Sequence, residues 1–401
     1  MSSDDRKSRA TSEGAGIGGT PVTRRDFLKV AGVAGAALGV AGGGGVLAAC
    51  GGDDDGGAAG DTAGGQKDKV TLQSKWVPQA QFAGYYAALA KGYYADEGLE
   101  VTIKPGGPDI TPEQVVASGG AEFGIDWLPS LLATRDKGGD IVNIAQVFAR
   151  SGMTEVTWKD SGIESVADMK GKKVGVWCCG NEFELFAALT KNGIDPKNSD
   201  EVTIVNQPFD MSLFIQEQVD AAAAMTYNEL AQVLEQKNPD TGDLYTLDDL
   251  NVIRMEDAGT AMLEDGVFAR GDWLADEKNQ DIAKRFLKAS FRGWIFCRDN
   301  AEECLQIVLD NGPTLGEGHQ RWQLNEINAL IWPNDTGVGL MDETAFQRTA
   351  DISKQFGVIS KDASPDAYRT DLAQAAYDEL SEDGKGADWQ KDVVEVTEGG
   401  K

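Results

Sequence analysis

From about residue 69 onward, short runs rich in β-branched residues alternate with stretches whose apolar positions recur at helical spacing. That alternation is the pattern of an α/β fold. "VTLQSKW" (70–76) predicts a strand and "FAGYYAALAKGYY" (82–94) a helix. "LEVTIKP" (99–105) is the next strand. "DITPEQVVASGG" is then a helix with Thr111 as cap, Pro112 in the first turn and Gln114 closing a capping box. "AEFGID", "LPSLLATRDKG" and "IVNIAQVFA" add a strand, a helix from Pro129 and a fourth strand. After "DSGIESVADMKG" a second unit opens. Its strands are "KKVGVW", "EVTIVN" and "DAAAAM", and its helices begin near Asn181, Asp210 and Asn228. "DLNVIRM" and "DGVFAR" carry the chain back, and from Ala275 to about Leu380 the pattern is mostly helical.

This pattern predicts two α/β lobes joined by two crossovers, near Thr157–Ser165 and Met262–Ala269. The first lobe spans 69–160, the second 161–264, and residues 265–380 return to the first lobe and add the C-terminal helices. Residues 381–401 form a polar tail expected to fray. Two lobes joined by two strands make a hinge that closes around a small ligand.

The region before the body has its own logic. "TRRDFLK" (23–29) has the adjacent arginines of a twin-arginine export signal. A short Gly/Ala run and "LAAC" (47–50) follow. Residues 1–49 therefore read as a removable signal rather than a spanning helix, with Cys50 as the lipidated N-terminus. Residues 50–68 are Gly-rich and acidic, a flexible tether. The expected location is the outer face of the cell membrane, held by lipid, and two lipid signals anchor far better than one.

Charge narrows the partners. The chain has 65 acidic and 37 basic residues, a net charge of −28. Cleavage before Cys50 removes six bases and four acids and leaves −30. Such a surface repels nucleic acid and anionic lipid. Cys297 and Cys304 lie too far apart to bond on one straight helix. "RDNAEE" reads as a break, with Asn300 capping the second helix, and an exported protein makes a disulfide there plausible. Cys178 and Cys179 read as small buried hydrophobes ahead of any redox role. His319, the single histidine, argues against a His-rich metal site.

In open α/β sheets, ligands bind beyond the carboxyl ends of the strands. Those ends carry Trp76, Gln79, Gln81, Phe82 and Tyr85; then "GGPD" (106–109), Asp126 and Trp127; then Asn181, Glu182 and Phe183; then Asp210; then Tyr227 and Asn228. The only Lys or Arg among them is Lys75. Aromatic faces favour a flat ring, and carboxylates and amides favour ligand donors. The missing Arg and Lys weigh against sulfonate, nitrate or phosphate, although helix N-termini alone can hold an anion. Any one aromatic is more often core, and Tyr86, Tyr93, Tyr94, Trp294, Trp322 and Trp332 are expected to pack. Asp210 and Asn228 have helix capping as their bland alternative.

"KWVPQAQFAGYYAALAKGYYADEGLEV", "PDITPEQVVASGGAEFGID" and "MKGKKVGVWCCGNEFEL" resemble the substrate-binding lipoproteins of ABC importers, in the branch related to fungal thiamine-pyrimidine synthases. The resemblance runs from about Val70 to Leu372. "WVPQAQFAGYY" and "GNEFEL" resemble most the pyrimidine-precursor and riboflavin binders. It implies a type II periplasmic-binding-protein fold, a small aromatic ligand, an ABC permease as partner, a monomer, and neither cofactor nor metal. A sulfonate or nitrate binder, a synthase-like enzyme and a sensing lipoprotein without a transporter are the rivals. The synthases use a histidine near the first helix and a cysteine-rich stretch. Here those positions hold Phe82 and "GTAMLEDGVFAR", so the resemblance implies a binder with no catalytic residues.

Overall fold

The computed structural model describes residues 67–177 and 180–401. The signal segment, Cys50, the tether through residue 66, Cys178 and Cys179 lie outside the described residues.

The strands are β1 (Asp68–Gln73), β2 (Leu99–Lys104), β3 (Phe123–Asp126), β4 (Ile141–Gln146), β5 (Met153–Trp158), β6 (Lys173–Val176), β7 (Thr203–Asn206), β8 (Ala221–Met225), β9 (Leu250–Arg254) and β10 (Gly266–Arg270). They form two five-stranded sheets, ordered β2-β1-β3-β10-β4 and β7-β6-β8-β5-β9. The plan repeats. In each sheet three strands run parallel, and a fourth, β10 or β5, is antiparallel to both of its neighbours. This is the two-lobe, type II periplasmic-binding-protein architecture with a helical C-terminal part.

One boundary moves. β5 pairs with β8 and β9 in the second sheet, so the first crossover is 147–152 and not 157–165. "MTEVTW" has no turn chemistry to mark the change of sheet, and its antiparallel partners come from much later in the chain. The second crossover leads into β10 at Gly266. The two crossovers are tied together, since Ser151 Oγ and Gly152 N–H both donate to Glu264 Oε1 at 2.8 Å; Met262 N–H ties the second one to helix Glu182–Lys191 by donating to Glu184 Oε1 at 2.8 Å.

The C-terminal helices complete the first lobe. Helix Glu277–Asp299 packs on helix Ala83–Ala90, and the contact is close: a Cβ on Gly293 would stand 2.0 Å from the Gly84 carbonyl oxygen. Cys297 and Cys304 are joined by a disulfide across the break between Glu277–Asp299 and Ala301–Asn311, with Cα atoms 5.1 Å apart. Asn300 does not cap the second helix through its side chain. Its Nδ2 donates back to the Phe296 carbonyl at 3.2 Å and closes the first. Nor does Thr111 cap its helix by a side-chain bond; Pro112 alone marks that start.

The tail is an ordered strap. Val338 and Asn334 N–H groups donate to the Gly384 and Lys385 carbonyls. Further on, Asn325 and Asp392 exchange two hydrogen bonds, Val394 and Val396 pack beside Trp322 on the core under the second sheet, and Gly399 N–H donates to the Glu235 carbonyl. The expected fraying overlooked these few apolar residues among many polar ones.

Candidate functional site

A cleft of about 400 Å³ opens at the strand ends, lined from both sheets. On the first lobe the turn after β1 is locked to the turn after β2: Gly106 N–H donates to the Trp76 carbonyl at 2.9 Å, and Gly107 N–H to that of Lys75 at 3.2 Å. Gly106 is required there, because a Cβ would sit 2.3 Å from the Lys75 backbone. Next, Ala80 N–H donates to Gln320 Oε1 at 2.7 Å and Gln323 Oε1 at 2.9 Å, which fixes the short turn Ala80–Phe82 on helix Glu317–Ile331. The two glutamines on either side of Ala80 then form a relay. Gln79 Nε2 donates to Gln81 Oε1 at 2.7 Å, and Gln81 Nε2 to Asp265 Oδ2 at 2.8 Å, so the cleft wall is linked to the second crossover.

At the end of β3, Asp126 pairs with Lys75 and also accepts the Trp127 N–H at 2.7 Å. The Lys75 ammonium lies 4.4 Å from the Trp127 ring centre. Burial works against the lysine charge, but Asp126, Glu113 and Asp265 outweigh it and raise its pKa. Burial also raises Asp265, to about 6, against the Gln81 hydrogen bond and Lys75.

The second lobe contributes rings and an amide network. Trp177 Nε1 donates to the Pro208 carbonyl at 2.9 Å, and its ring stacks at 14° on Phe209, with centroids 6.4 Å apart. At the end of β8, Asn228 Nδ2 donates to Glu229 Oε1 at 2.7 Å, while its Oδ1 lies 2.9 Å from His319 Nε2. His319 Nδ1 in turn meets Glu235 at 2.7 Å. Burial pushes Glu229 up to about 7, offset by the Met225 N–H it accepts. The lone histidine thus orients a cleft amide.

Of the expected site residues, Trp76, Gln79, Gln81, Asp126, Trp127, Asn181, Tyr227 and Asn228 line the cleft. Five do not. Phe82 and Tyr85 are in the core, Tyr85 edge-on to Trp294 with centroids 5.6 Å apart. Phe183 packs toward Met262 and Ile352. Glu182 accepts the Gly180 N–H at 2.8 Å and closes the loop before its helix. Asp210 is exposed and accepts the Ser212 N–H at 2.8 Å in a local turn; it does not cap the helix Ser212–Ile215, whose cap position is Met211. Tyr94, Trp294 and Trp332 are fully buried, and Trp322 is in the core. Cleft residues absent from the expected set include Glu113, Phe209, Glu229 and Lys137.

Residues 79–304 match the family described as NMT1/THI5 like. The chain belongs to the NMT1/THI5-like family. Residues 21–41 match the twin-arginine translocation pathway signal, so the chain carries an export signal. Within the family, the chain is 25% identical over 303 residues to the riboflavin-binding protein RibY of Chloroflexus aurantiacus, covering 73% of this chain and 82% of that protein. It is 23% identical over 248 residues to the formylaminopyrimidine-binding protein of Halalkalibacterium halodurans, covering 61% and 71%. A 4-amino-5-hydroxymethyl-2-methylpyrimidine phosphate synthase of Aspergillus parasiticus is 23% identical, covering 82% and 95%. Among solved structures, the putative periplasmic sulfonate-binding protein SsuA of Methylobacillus flagellatus KT superposes with a TM-score of 0.60 at 17% identity, covering 82% of this chain and 99% of that one. That likeness is one of fold.

Glu113, 1% exposed, shares a side-chain hydrogen bond with Asp126, while the Trp127 Nε1 and Asn181 Oδ1 atoms are buried without partners. All three residues line the cleft. A buried carboxyl at the second position of a helix gives no signal in sequence, where an acid in the first turn reads as ordinary capping chemistry.

Proposed function

We propose that this protein is the extracytoplasmic substrate-binding component of an ABC importer, capturing a flat aromatic heterocycle of the thiamine-precursor pyrimidine or flavin type. One observation carries the reading. Trp76 and Trp127 on one lobe and Trp177 and Phe209 on the other converge on a single cleft. Rings from two lobes provide stacking surface for a planar molecule, and closure of the hinge around it is what a permease reads. The relatives named for riboflavin and formylaminopyrimidine binding support the ligand class. Lipid on Cys50 would keep the protein at the outer membrane face, and it works as a monomer.

Two rivals are weaker. No arginine lines the cleft among the described residues, and its carboxylates disfavour a sulfonate. A synthase activity is named for fungal relatives. This chain has Phe82 where the synthases carry their histidine, and that ring is buried in the core.

The test is to denature the purified exported protein and take the absorbance and mass of what it releases. Titration by tryptophan fluorescence with riboflavin, an aminopyrimidine and an alkanesulfonate then ranks the classes. Binding of the sulfonate alone would overturn the ring reading.

A further inference from the structure

The hinge holds a proton that hydrogen-bond counting locates. Ser151 Oγ on the first crossover lies 2.8 Å from Glu264 Oε1 on the second. It also lies 3.0 and 3.2 Å from Glu184 Oε2 and Oε1, on helix Glu182–Lys191. All three residues are buried. A hydroxyl has one proton to give. Ser151 Oγ already accepts the Met153 N–H at 3.0 Å, and it cannot donate to two carboxylates at once. One of the two acids therefore brings a proton of its own.

The other contacts say which. Glu264 Oε1 takes the Gly152 N–H at 2.8 Å, so with the Ser151 hydroxyl it accepts twice. Glu184 Oε1 takes the Met262 N–H, which leaves Glu184 Oε2 to carry the proton toward Ser151. The chain runs from Glu184 Oε2–H to Ser151 Oγ, and from Ser151 Oγ–H to Glu264 Oε1.

The surroundings favour the protonated acid. Burial pushes the Glu184 carboxyl up to about 8 against the Met262 and Ser151 hydrogen bonds, with Glu256 raising it and Arg348 lowering it. Burial, and after it the Glu184 charge, push Glu264 well above the usual carboxylate range; Asp265 adds to this, while Ser151 and Gly152 oppose it. Glu256, in the turn of helix Met255–Ala258, is taken up by the Ser151 N–H at 3.2 Å. Arg348, on helix Glu343–Gln355, lies 3.8 Å from Glu256 and donates from Nε to the Ala261 carbonyl at 2.9 Å. Tyr227 packs its ring against Gly152, and burial keeps it a neutral phenol.

We propose that a proton carried by Glu184 latches the two crossovers through Ser151 and Glu264, so that the hinge loosens when this proton is lost in alkaline solution. Without it, Ser151 has one proton for two carboxylates, and two buried negative charges face each other across one hydroxyl. The latch is fully present below the ordinary carboxylate range and is lost as pH rises through the raised value of Glu184. It needs the two-lobe fold and no particular ligand, so it stands or falls apart from the ring reading of the cleft.

The experiment is hydrogen exchange on the ligand-free exported protein at pH 7 and pH 9, corrected for the intrinsic effect of pH, with Glu184→Gln alongside. Glutamine copies the protonated acid, with an N–H for Ser151 and a carbonyl oxygen for the Met262 N–H. In wild type the Gly152 and Met262 amides are expected to lose at least ~10-fold protection at pH 9, the scale of one pH unit past a titrating acid, while β1 and β2 keep theirs. Glu184→Gln is expected to keep the crossover protection at both pH values. The infrared C=O stretch of a protonated acid should appear at pH 7 in the wild-type minus Glu184→Gln difference and fade by pH 9. Crossover protection in wild type that is equal at the two pH values would overturn the latch, and so would a difference spectrum without that band at pH 7. A Glu184→Gln protein that loosened at pH 9 as wild type does would overturn the role of Glu184.

Discussion

The rings of Trp76 and Phe209 meet across the mouth of the cleft with centroids 4.8 Å apart and planes tilted by 59°. Trp76 follows β1 of one sheet and Phe209 follows β7 of the other, so the pair bridges the lobes. Phe209 is 53% exposed, too exposed to be a core residue, and its other neighbour is Trp177. A ring in this position suits the proposed ligand-binding role better than the packing of one lobe. Phe209→Ala is expected to weaken ligand binding about tenfold. It should leave thermal stability within about 0.5 kcal/mol of wild type, as exposed positions do. Fluorescence titration and a melting curve measure both. A large loss of stability with affinity unchanged would make Phe209 a packing residue.

The legible part of this site follows from one rule, that crossover connections bring the carboxyl ends of parallel strands to one side. It places Trp76, Asp126 and Tyr227 without any knowledge of tertiary contacts. It fails at Phe82 and Tyr85 for a physical reason. Ala83 to Ala88 are all buried, so the helix after β1 has no polar stripe to show which side faces the cleft and which faces helix Glu277–Asp299. Glu113 was illegible for the opposite reason, since charge is so seldom fully buried that its burial is not a sequence-level expectation. The first crossover was misplaced because antiparallel insertion of β5 depends on strands that come much later in the chain.

Glu155 gives a pH-dependent prediction. It lies in β5 opposite Ala223 and Ile253, is 0% exposed, and neither oxygen has a partner. Burial alone raises its pKa well above the usual value. The folded state therefore prefers the protonated acid. Its contribution to stability is fully present below the unfolded carboxylate range, and it is lost as pH rises toward the raised folded value. Glu155→Met is expected to stabilise the protein, by a margin that grows between pH 5 and pH 8. Every tenfold weakening of the acid on folding corresponds to about 1.4 kcal/mol at the higher pH. Urea melts at both pH values supply the comparison, and a margin that stayed flat or shrank would contradict the buried, unpaired assignment.

The Cys297–Cys304 disulfide closes a short loop at the junction of two helices that both pack on helix Ala83–Ala90. In the chain-entropy picture a loop of this size contributes about 2–3 kcal/mol. Replacing both cysteines by serine should lower stability by that order and leave ligand affinity nearly unchanged, because neither residue lines the cleft. Peptide mapping of exported protein without reductant should recover the two cysteines linked. Recovery of both as free thiols would refute the pairing.

Export and anchoring can be separated. Replacing Arg24 and Arg25 by Lys should block export, since the twin-arginine signal spans both. Replacing Cys50 by Ala should leave export intact and move the protein from the membrane fraction to the soluble one. Fractionation after carbonate washing reads both variants. A Cys50→Ala protein still held in the membrane would show that something other than lipid on that residue anchors it.

The tail reaches the cleft indirectly. Gly400 packs against His319 and Glu235, so closely that a Cβ would stand 2.8 Å from the His319 Cβ, and Gly399 N–H donates to the Glu235 carbonyl. His319 in turn meets Asn228, whose amide lines the cleft. Deleting residues 387–401 should cost about 2–4 kcal/mol of stability through the lost burial of Trp389, Val394 and Val396. It should also weaken ligand binding several-fold, because Glu235 and His319 lose the strap that holds them against Asn228. Hydrogen exchange separates the two effects. Protection is expected to fall in helix Glu229–Leu234 and at Asn228 while β1 and β2 keep theirs. Full protection of that helix in the shortened chain, with wild-type affinity, would show that the strap stabilises the fold without reaching the site.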